Sequence, residues 1–304
     1  IHMDICNFLF YQVIMSLKNH HAYDILKFVF NETNPCALVC VKSVNGGSMR
    51  SVGSLMAVCC DGSFVGYISN GCVDADIISQ SKISISENKT RIIQYGKGSQ
   101  YKDIKLPCGG SIELIIVPNP NKETLGKAIE ALGSRKEFLL KFDEYEHKYR
   151  PKLQINLYGR DEALSSLASL ATEVGLEVNV YSPDKSINDE LKFLSFTHLN
   201  DPEKPLINHD DYWTAVVLLF HDHDWELNIL KRVVLGDAFY IGAMGSIKTH
   251  QVREQKLSSA GVSLSDISKI RGPIGLIPSM RDTNLLALST LAEIIKVAKD
   301  KNLL

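Results

Sequence analysis

Apolar side chains recur at helical spacing near the start of the chain, at Ile5, Leu9 and Val13 and again at Ile25, Phe28 and Val29, which predicts helix between about Asp4 and Asn31. After Asn34-Pro35 the period changes. Ala37 to Val41 is a short apolar run, and the runs Leu55 to Cys60 and Phe64 to Ile68 flank Asp61-Gly62, a hairpin signal. Ile92-Ile93 and Ile112 to Val117 supply further strands, and Lys122 to Leu132 reads as a helix. The first part of the chain is therefore expected to be a mixed α+β domain. The charged stretch Asp143 to Pro151 is the best candidate for a linker, giving boundaries of 1–142, 143–152 and 153–304. Beyond it strands and helices alternate. Leu153 to Tyr158, Glu177 to Tyr181, Trp213 to Phe220 and Phe239 to Gly242 read as strands, and Glu162 to Val174 and Thr283 to Ala298 as helices. Near-continuous apolar strands separated by helices imply an α/β arrangement, a Rossmann-like parallel sheet covered on both faces.

The 304 residues and 45% hydrophobic content suffice for two cores. A formal net charge of -2 and a sequence pI near 6.5, with no dense run of Lys and Arg, argue against nucleic acid or an anionic membrane as partner. No apolar stretch reaches the roughly 18 residues of a membrane span, and the first residues lack the pattern of a secretory signal. All seven cysteines, Cys6, Cys36, Cys40, Cys59, Cys60, Cys72 and Cys108, lie in the first 108 residues, and their number is odd. That does not resemble a secreted disulfide framework, so a cytoplasmic protein with reduced thiols is expected, with any thiol chemistry in the N-terminal half.

Two of those cysteines sit in glycine-rich turns with an acid close behind: Ser69-Asn70-Gly71-Cys72-Val73-Asp74 and Pro107-Cys108-Gly109-Gly110-Ser111-Ile112-Glu113. Glycines beside a thiol leave the sulfur uncovered and let a ligand approach the backbone. The plain alternative is two tight turns that contain cysteine. In the second half, Gly159-Arg160-Asp161-Glu162 stands where a dinucleotide-binding turn belongs, but Asp161 replaces the second glycine and two carboxylates at a helix start repel phosphate. A nucleotide in the Rossmann-like domain is therefore not expected. His221-Asp222-His223-Asp224 follows the apolar third strand, where α/β sheets place ligands, although Asp224 also suits a helix cap. Gly242, Gly245 and Ser246 form a strand-to-helix turn that could hold an anion with help from Lys248 and Arg253, or could simply connect two elements. Gly272-Pro273-Ile274-Gly275-Leu276 is a rigid loop that closes over a ligand or crosses the sheet.

In this order along one chain, Gly47-Ser48-Met49-Arg50, the two cysteine turns, His221-Asp222-His223, Tyr240 to Ser246 and Gly272 to Leu276 resemble the motifs of the XdhC/CoxI family, accessory proteins for molybdenum hydroxylases such as xanthine dehydrogenase. The likeness covers about Asn34 to Lys299. It implies a dimeric maturation factor, a chaperone rather than a turnover enzyme, that binds the molybdenum cofactor (molybdopterin). Such a factor delivers the sulfurated cofactor to a hydroxylase apoenzyme, with a cysteine desulfurase as a further partner. On this resemblance Cys72 and Cys108 would act as the catalytic residues and contact molybdenum or its dithiolene. Arg50, Gly71, Asp74, Gly109, Gly110, Gly159, His221, Gly242, Gly245 and Ser246 would complete the binding set. Asn70, Asp74 and Met49 depart from the family's usual glycine, glutamate and proline. The alternatives are an NAD(P)-dependent oxidoreductase using Asp184 on a ribose, a small metalloprotein using the cysteines or the 221–224 loop, and a divergent non-catalytic dimer.

Overall fold

The computed structural model describes residues 21–304 except 49, 70, 100–108, 193, 206–209 and 222–224, and nothing of the Cys72 side chain. The chain forms two compact units, Ile1–Pro151 and Lys152–Leu304.

In the first unit α1 (Ala22–Asn31) precedes strands β1 (Cys36–Asn45), β2 (Leu55–Cys59) and β3 (Phe64–Val65). Helix α2 (Cys72–Glu87), β4 (Arg91–Gly96), β5 (Ser111–Pro118) and α3 (Lys122–Gly133) follow, then the hairpin β6 (Phe138–Phe142) and β7 (Tyr145–Tyr149). The antiparallel sheet has the order β3-β2-β1-β5-β4. Side chains alternate across its faces with the strand period of two. Leu38, Cys40, Leu55, Ala57 and Ile115 pack on α1, α3 and the hairpin. Ala37, Val39, Val41, Met56 and Leu114 pack on Val73 and Ile77 of α2.

Three features of this unit differ from the sequence reading. The stretch read as a linker contains β7, whose Glu146 and Lys148 are exposed while Tyr149 is buried and donates to the Gly53 carbonyl at 2.9 Å. Its charge is one face of a period-two strand, and the division of the chain falls after Pro151. Helix α2 lies where no helix was expected, because its Ser81-Lys82-Ile83-Ser84-Ile85-Ser86 run alternates β-branched Ile with Ser. Its buried Ser81 and Ser84 let the helix lie close to the sheet. Cys36 and Cys59 face one another in the β1–β2 register and form a disulfide, which overturns the expectation of reduced thiols for that pair. Cys40 is a buried free thiol pushed up to about 12 by burial, and Cys60 is a free thiol at the surface.

The second unit contains β8 (Gln154–Gly159), α4 (Asp161–Glu173), β9 (Glu177–Ser182), α5 (Ser186–Glu190), β10 (Ser195–His198), β11 (Thr214–Leu219) and α6 (Glu226–Val233). It continues with β12 (Tyr240–Ala243), α7 (Ile247–Ser259), α8 (Leu264–Ile267), β13 (Ile270–Arg271) and α9 (Thr283–Asp300). Its parallel sheet runs β10-β9-β8-β11-β12-β13, so the chain reverses direction of progress between β8 and β11, the doubly wound topology expected. All six residues of β11 are buried, as its uninterrupted apolar sequence implies. One face carries α4 and α9, and the other carries α6, α7 and α8. Among the described residues no helix is long and apolar enough to cross a membrane.

Candidate functional site

The connection between β1 and β2 meets both cysteine turns of the first unit. At its start, Gly46 and Gly47 lie against Gly110, where a Cβ on Gly110 would stand 2.5 Å from the Asn45 carbonyl oxygen. At its end, the Arg50 guanidinium sits over the Tyr67 ring at 5.0 Å, just before the Ser69-to-Cys72 turn. Ser48 Oγ accepts the Arg50 N–H at 3.2 Å and donates to the Arg50 carbonyl at 2.8 Å, so this loop carries its own brace.

Asp74 is buried in the first turn of α2, and its Oδ1 accepts the backbone N–H groups of Ile68 at 3.1 Å and Ser69 at 2.9 Å. It therefore holds the first cysteine turn against the helix start, a fit for a short acid whose family counterpart is longer. Glu113, the acid behind the second turn, pairs with Lys42 at 2.5 Å.

The three glycines beside the cysteines are not alike. Gly110 has no room for a side chain. Gly109 has φ +68, and among the described residues nothing lies within 4 Å of where its Cβ would project. Gly71 has φ -171 and ψ -145, and among the described residues nothing lies within 4 Å of where its Cβ would project. Cys108 and the side chain of Cys72 lie outside the described residues, and so does any test of their role as catalytic residues or molybdenum ligands. Among the described residues no cluster of three or more His, Cys, Asp or Glu could hold a metal ion.

In the second unit the switch point between β8 and β11 is lined by Gly159 and His221. A Cβ on Gly159 would stand 2.5 Å from the Leu219 carbonyl oxygen, so this glycine is required by the approach of the two strands. Asp161 takes φ +65 at the position where a dinucleotide-binding turn has glycine. Asp184 accepts the N–H and hydroxyl of Ser186 at 2.9 and 2.8 Å, and these bonds, followed by Arg160, hold its carboxyl below the usual range. The acid that the oxidoreductase alternative would place on a ribose is thus engaged with Ser186 in the turn that leads into α5. His221 is exposed at the end of β11, while 222–224 lie outside the described residues.

The turn from Gly242 to Ser246 is fixed by its neighbours. A side chain on Gly242 would meet Tyr240 and Ile274, and one on Gly245, at φ +142, would meet Thr249. Ser246 Oγ accepts the Thr249 N–H at 3.1 Å and caps α7. Arg253, considered above as a charge for an anion, is 2% exposed and already engaged. It binds Glu226 through Nε at 2.9 Å and Nη2 at 2.7 Å, donates to the Met244 carbonyl at 2.6 Å, and donates from Nη1 to His250 Nδ1 at 3.0 Å. Burial and this guanidinium hold His250 below the ordinary histidine range. The 272–277 loop, with a cis Gly272-Pro273 bond, packs on His250 and is tied to α9. Glu293 Oε2 accepts the Gly275 N–H and the Tyr240 hydroxyl, both at 2.8 Å, and burial followed by Glu293 pushes the Tyr240 phenol far up. Ser289 Oγ accepts the Ile277 N–H at 2.8 Å.

Sequence reading missed Tyr67, Glu226, Ser289 and Glu293. Glu226 carried a signal: it stands on the same helical stripe as the apolar Ile229, Leu230 and Val233, so burial with a partner follows. The others are recognisable only through the loops they hold.

Known proteins resemble this chain along most of its length. The XdhC and CoxI family profile matches residues 30–96, and that of the XdhC Rossmann domain matches 155–294. PaoD of Escherichia coli (strain K12), described as a molybdenum cofactor insertion chaperone, is 32% identical over 280 residues, 86% of this chain and 82% of PaoD. YqeB of the same organism, an uncharacterized protein, is 22% identical over 274 residues, and the chain spans 43% of it. The solved structure of a protein described as a xanthine dehydrogenase from Bacillus halodurans superposes with TM-score 0.75 at 18% identity, covering 92% of this chain and 96% of that one, which speaks to the fold.

Proposed function

The chain belongs to the XdhC and CoxI family, and from that premise we propose that it is a maturation factor that receives the molybdenum cofactor and inserts it into a molybdenum hydroxylase apoenzyme. Relationship to PaoD across 82% of that chaperone's length supports the class of function. Within this chain, one observation supports the location: among the described residues nothing lies within 4 Å of where a Cβ on Gly71 would project, in a turn held by Asp74 and preceded by Tyr67 under Arg50.

The residues present fit such a ligand. An anionic pterin phosphate suits the Arg50 guanidinium, whose plane is held by Tyr67, and backbone N–H groups at Gly71 and Gly109 suit pterin or phosphate oxygens. Thiolates of Cys72 and Cys108 are soft donors suited to molybdenum or to a transferable sulfur. When bound, the cofactor supplies the oxygen- and hydride-transfer chemistry of the recipient enzyme. This chain's residues bind it, orient it and shield it. Asp74 acts here as the brace of the turn. A cysteine desulfurase and a second copy of this chain are the further partners proposed, and cytoplasm the compartment. No nucleotide is assigned to the second unit, where Asp161 and the occupied Asp184 oppose one.

The test is binding of isolated molybdenum cofactor to the purified, reduced protein beside Cys72→Ala, Cys108→Ala and Arg50→Ala. Tight binding by the wild type that weakens in each variant is expected. Absence of binding by the folded wild type would overturn the function, and full retention in all variants would overturn the location.

A further inference from the structure

The antiparallel order of the first unit brings its connections to one end of the sheet. Strands β1, β3 and β4 finish there, and β2 and β5 begin there. The β1–β2 connection, the turn into α2 and both flanks of the β4–β5 connection therefore share that end. In the row across it, Ser111 pairs with Asn45 of β1 and with Gly96 of β4. One residue further out, a Cβ on Gly46 would stand 3.1 Å from Gly110 Cα, while the Gly110 carbonyl accepts the Lys97 N–H at 3.1 Å. The second cysteine turn is thus held from β1 on one side and from Lys97 on the other. Helix α2 is fastened to the same place: Tyr95, fully buried, donates its hydroxyl to Asp76 Oδ2 at 2.7 Å, four residues after Cys72 and one before Gly96.

The turn after Tyr95 fixes the position of Lys97. Gly96 and Gly98 take φ +84 and +85, the left-handed values that favour glycine. The Lys97 carbonyl accepts Gln94 Nε2 at 2.9 Å. Ser99 braces the turn, donating its N–H to the Gly96 carbonyl at 3.0 Å and its hydroxyl to the Gln94 carbonyl at 2.6 Å. Both backbone polar groups of Lys97 are committed, while the residue is exposed and its ammonium has no partner among the described residues. Lys42, on β1 near the same end, is by contrast already paired with Glu113. We infer that Lys97 is an anion-binding residue of the cofactor site, holding a phosphate of the cofactor beside the second cysteine turn, with Tyr95 and Asp76 as the positioning pair that sets its turn against α2. This rests on the proposed function and deepens it, since that reading placed its cation, Arg50, beside the first turn only. An ammonium binds phosphate as a compact point charge. With the backbone pinned at both polar groups, binding orders only the side chain, so little of the contact is lost to entropy. In sequence, a lysine between two glycines reads as an ordinary turn and carries no mark of a ligand.

The test is titration of isolated molybdenum cofactor into the purified, reduced full chain, with circular dichroism confirming that each variant is folded. Lys97→Ala is expected to raise the dissociation constant about 10-fold or more through loss of a charge-assisted hydrogen bond. Lys97→Arg is expected to keep most of the affinity, and Lys127→Ala, at an exposed lysine of α3, all of it. Between about 50 and 500 mM KCl, wild-type binding is expected to weaken more steeply than binding by Lys97→Ala, because salt screens an exposed charge contact. Tyr95→Phe, or Asp76→Ala at the half-buried other end of the bond, is expected to weaken binding several-fold in the wild type. Neither is expected to add to the loss in Lys97→Ala, as follows when one residue acts through another. Wild-type affinity in Lys97→Ala beside weakened binding in Arg50→Ala would overturn the inference and leave the function standing. Parallel salt dependences of wild type and Lys97→Ala would overturn it as well, and additive losses would overturn the positioning role of Tyr95. A folded wild type that binds no cofactor would overturn the function and this inference together.

Discussion

Replacing Arg253 with methionine tests whether the turn at Gly242–Ser246 is held by a buried charge pair. The guanidinium and the Glu226 carboxylate have side chains 2% and 4% exposed, with contacts of 2.7 and 2.9 Å. Methionine fills much of the volume but removes the guanidinium from the carboxylate of Glu226 and the donor from the Met244 carbonyl. Breaking one side of such a pair costs about 3–5 kcal/mol, because a carboxylate stays buried without the guanidinium that offsets its desolvation. Adding Glu226→Leu removes that charge, so the double variant is expected to recover most of the loss, retaining about 1 kcal/mol for the unsatisfied carbonyl. Both tryptophans of the chain, Trp213 and Trp225, belong to the second unit, so urea unfolding followed by tryptophan fluorescence reports on that unit alone. At roughly 2–4 °C per kcal/mol, the single variant also melts about 10 °C lower. A single variant costing less than about 1 kcal/mol, or a double variant as unstable as the single, would refute the account of Arg253 as half of a buried pair.

Further expectations concern other parts of the molecule. Reducing the Cys36–Cys59 disulfide, which spans 23 residues of sequence, is expected to destabilise the first unit by about 3 kcal/mol through loop entropy. Calorimetry with and without a phosphine reductant measures this, and peptide mapping that finds no 36–59 linkage would remove its premise. His250 is held neutral in the fold, accepting from Arg253 at Nδ1 with Glu254 3.5 Å from Nε2. Its folded pKa lies below the unfolded one, so the unfolded chain binds the extra proton first and stability falls as pH drops below about 6.5. Above that the group contributes no slope. His250→Gln is expected to flatten the acid limb of the second unit's stability curve, and an unchanged limb would reject the assignment. Gly110→Ala is expected to destabilise the first unit by about 1–3 kcal/mol through overlap with the Asn45 carbonyl, whereas Gly71→Ala leaves stability near wild type and lowers cofactor affinity. Equal melting of the two variants would contradict the distinction drawn between these glycines.

The second unit was largely legible in the sequence because its signals are strong. Strand β11 is six consecutive buried residues, and the helix after Gly159, expected over Glu162 to Val174, is found over Asp161–Glu173. The edge strands β10 and β13 were not foreseen, since short half-buried edges carry little periodicity. In the first unit, α2 escaped notice because alternating Ile and Ser mimic a strand, and tertiary packing on Val73 and Ile77 overrides that preference. The charged β7 looked like a linker because its polar face carries most of the ionisable groups. Cys36 and Cys59 could not be paired from spacing; only the β1–β2 register makes them neighbours. The family motifs located the glycine turns, but which glycines serve packing and which leave space emerges only from the atoms around them.

The strut between β1 and β2 gives the two cysteine turns a common inheritance. Residues 45–47 touch Gly110, and Arg50 of the same loop covers Tyr67 ahead of the other turn. A genetic selection that begins from a crippled Gly110→Ala chain should therefore find its suppressors in 45–47, where a shortened or shifted loop restores clearance. Alleles at Arg50 would then disturb the first turn while leaving the second intact. In the language of heredity the two turns form a linkage group defined by contact, although more than thirty residues of chain separate them.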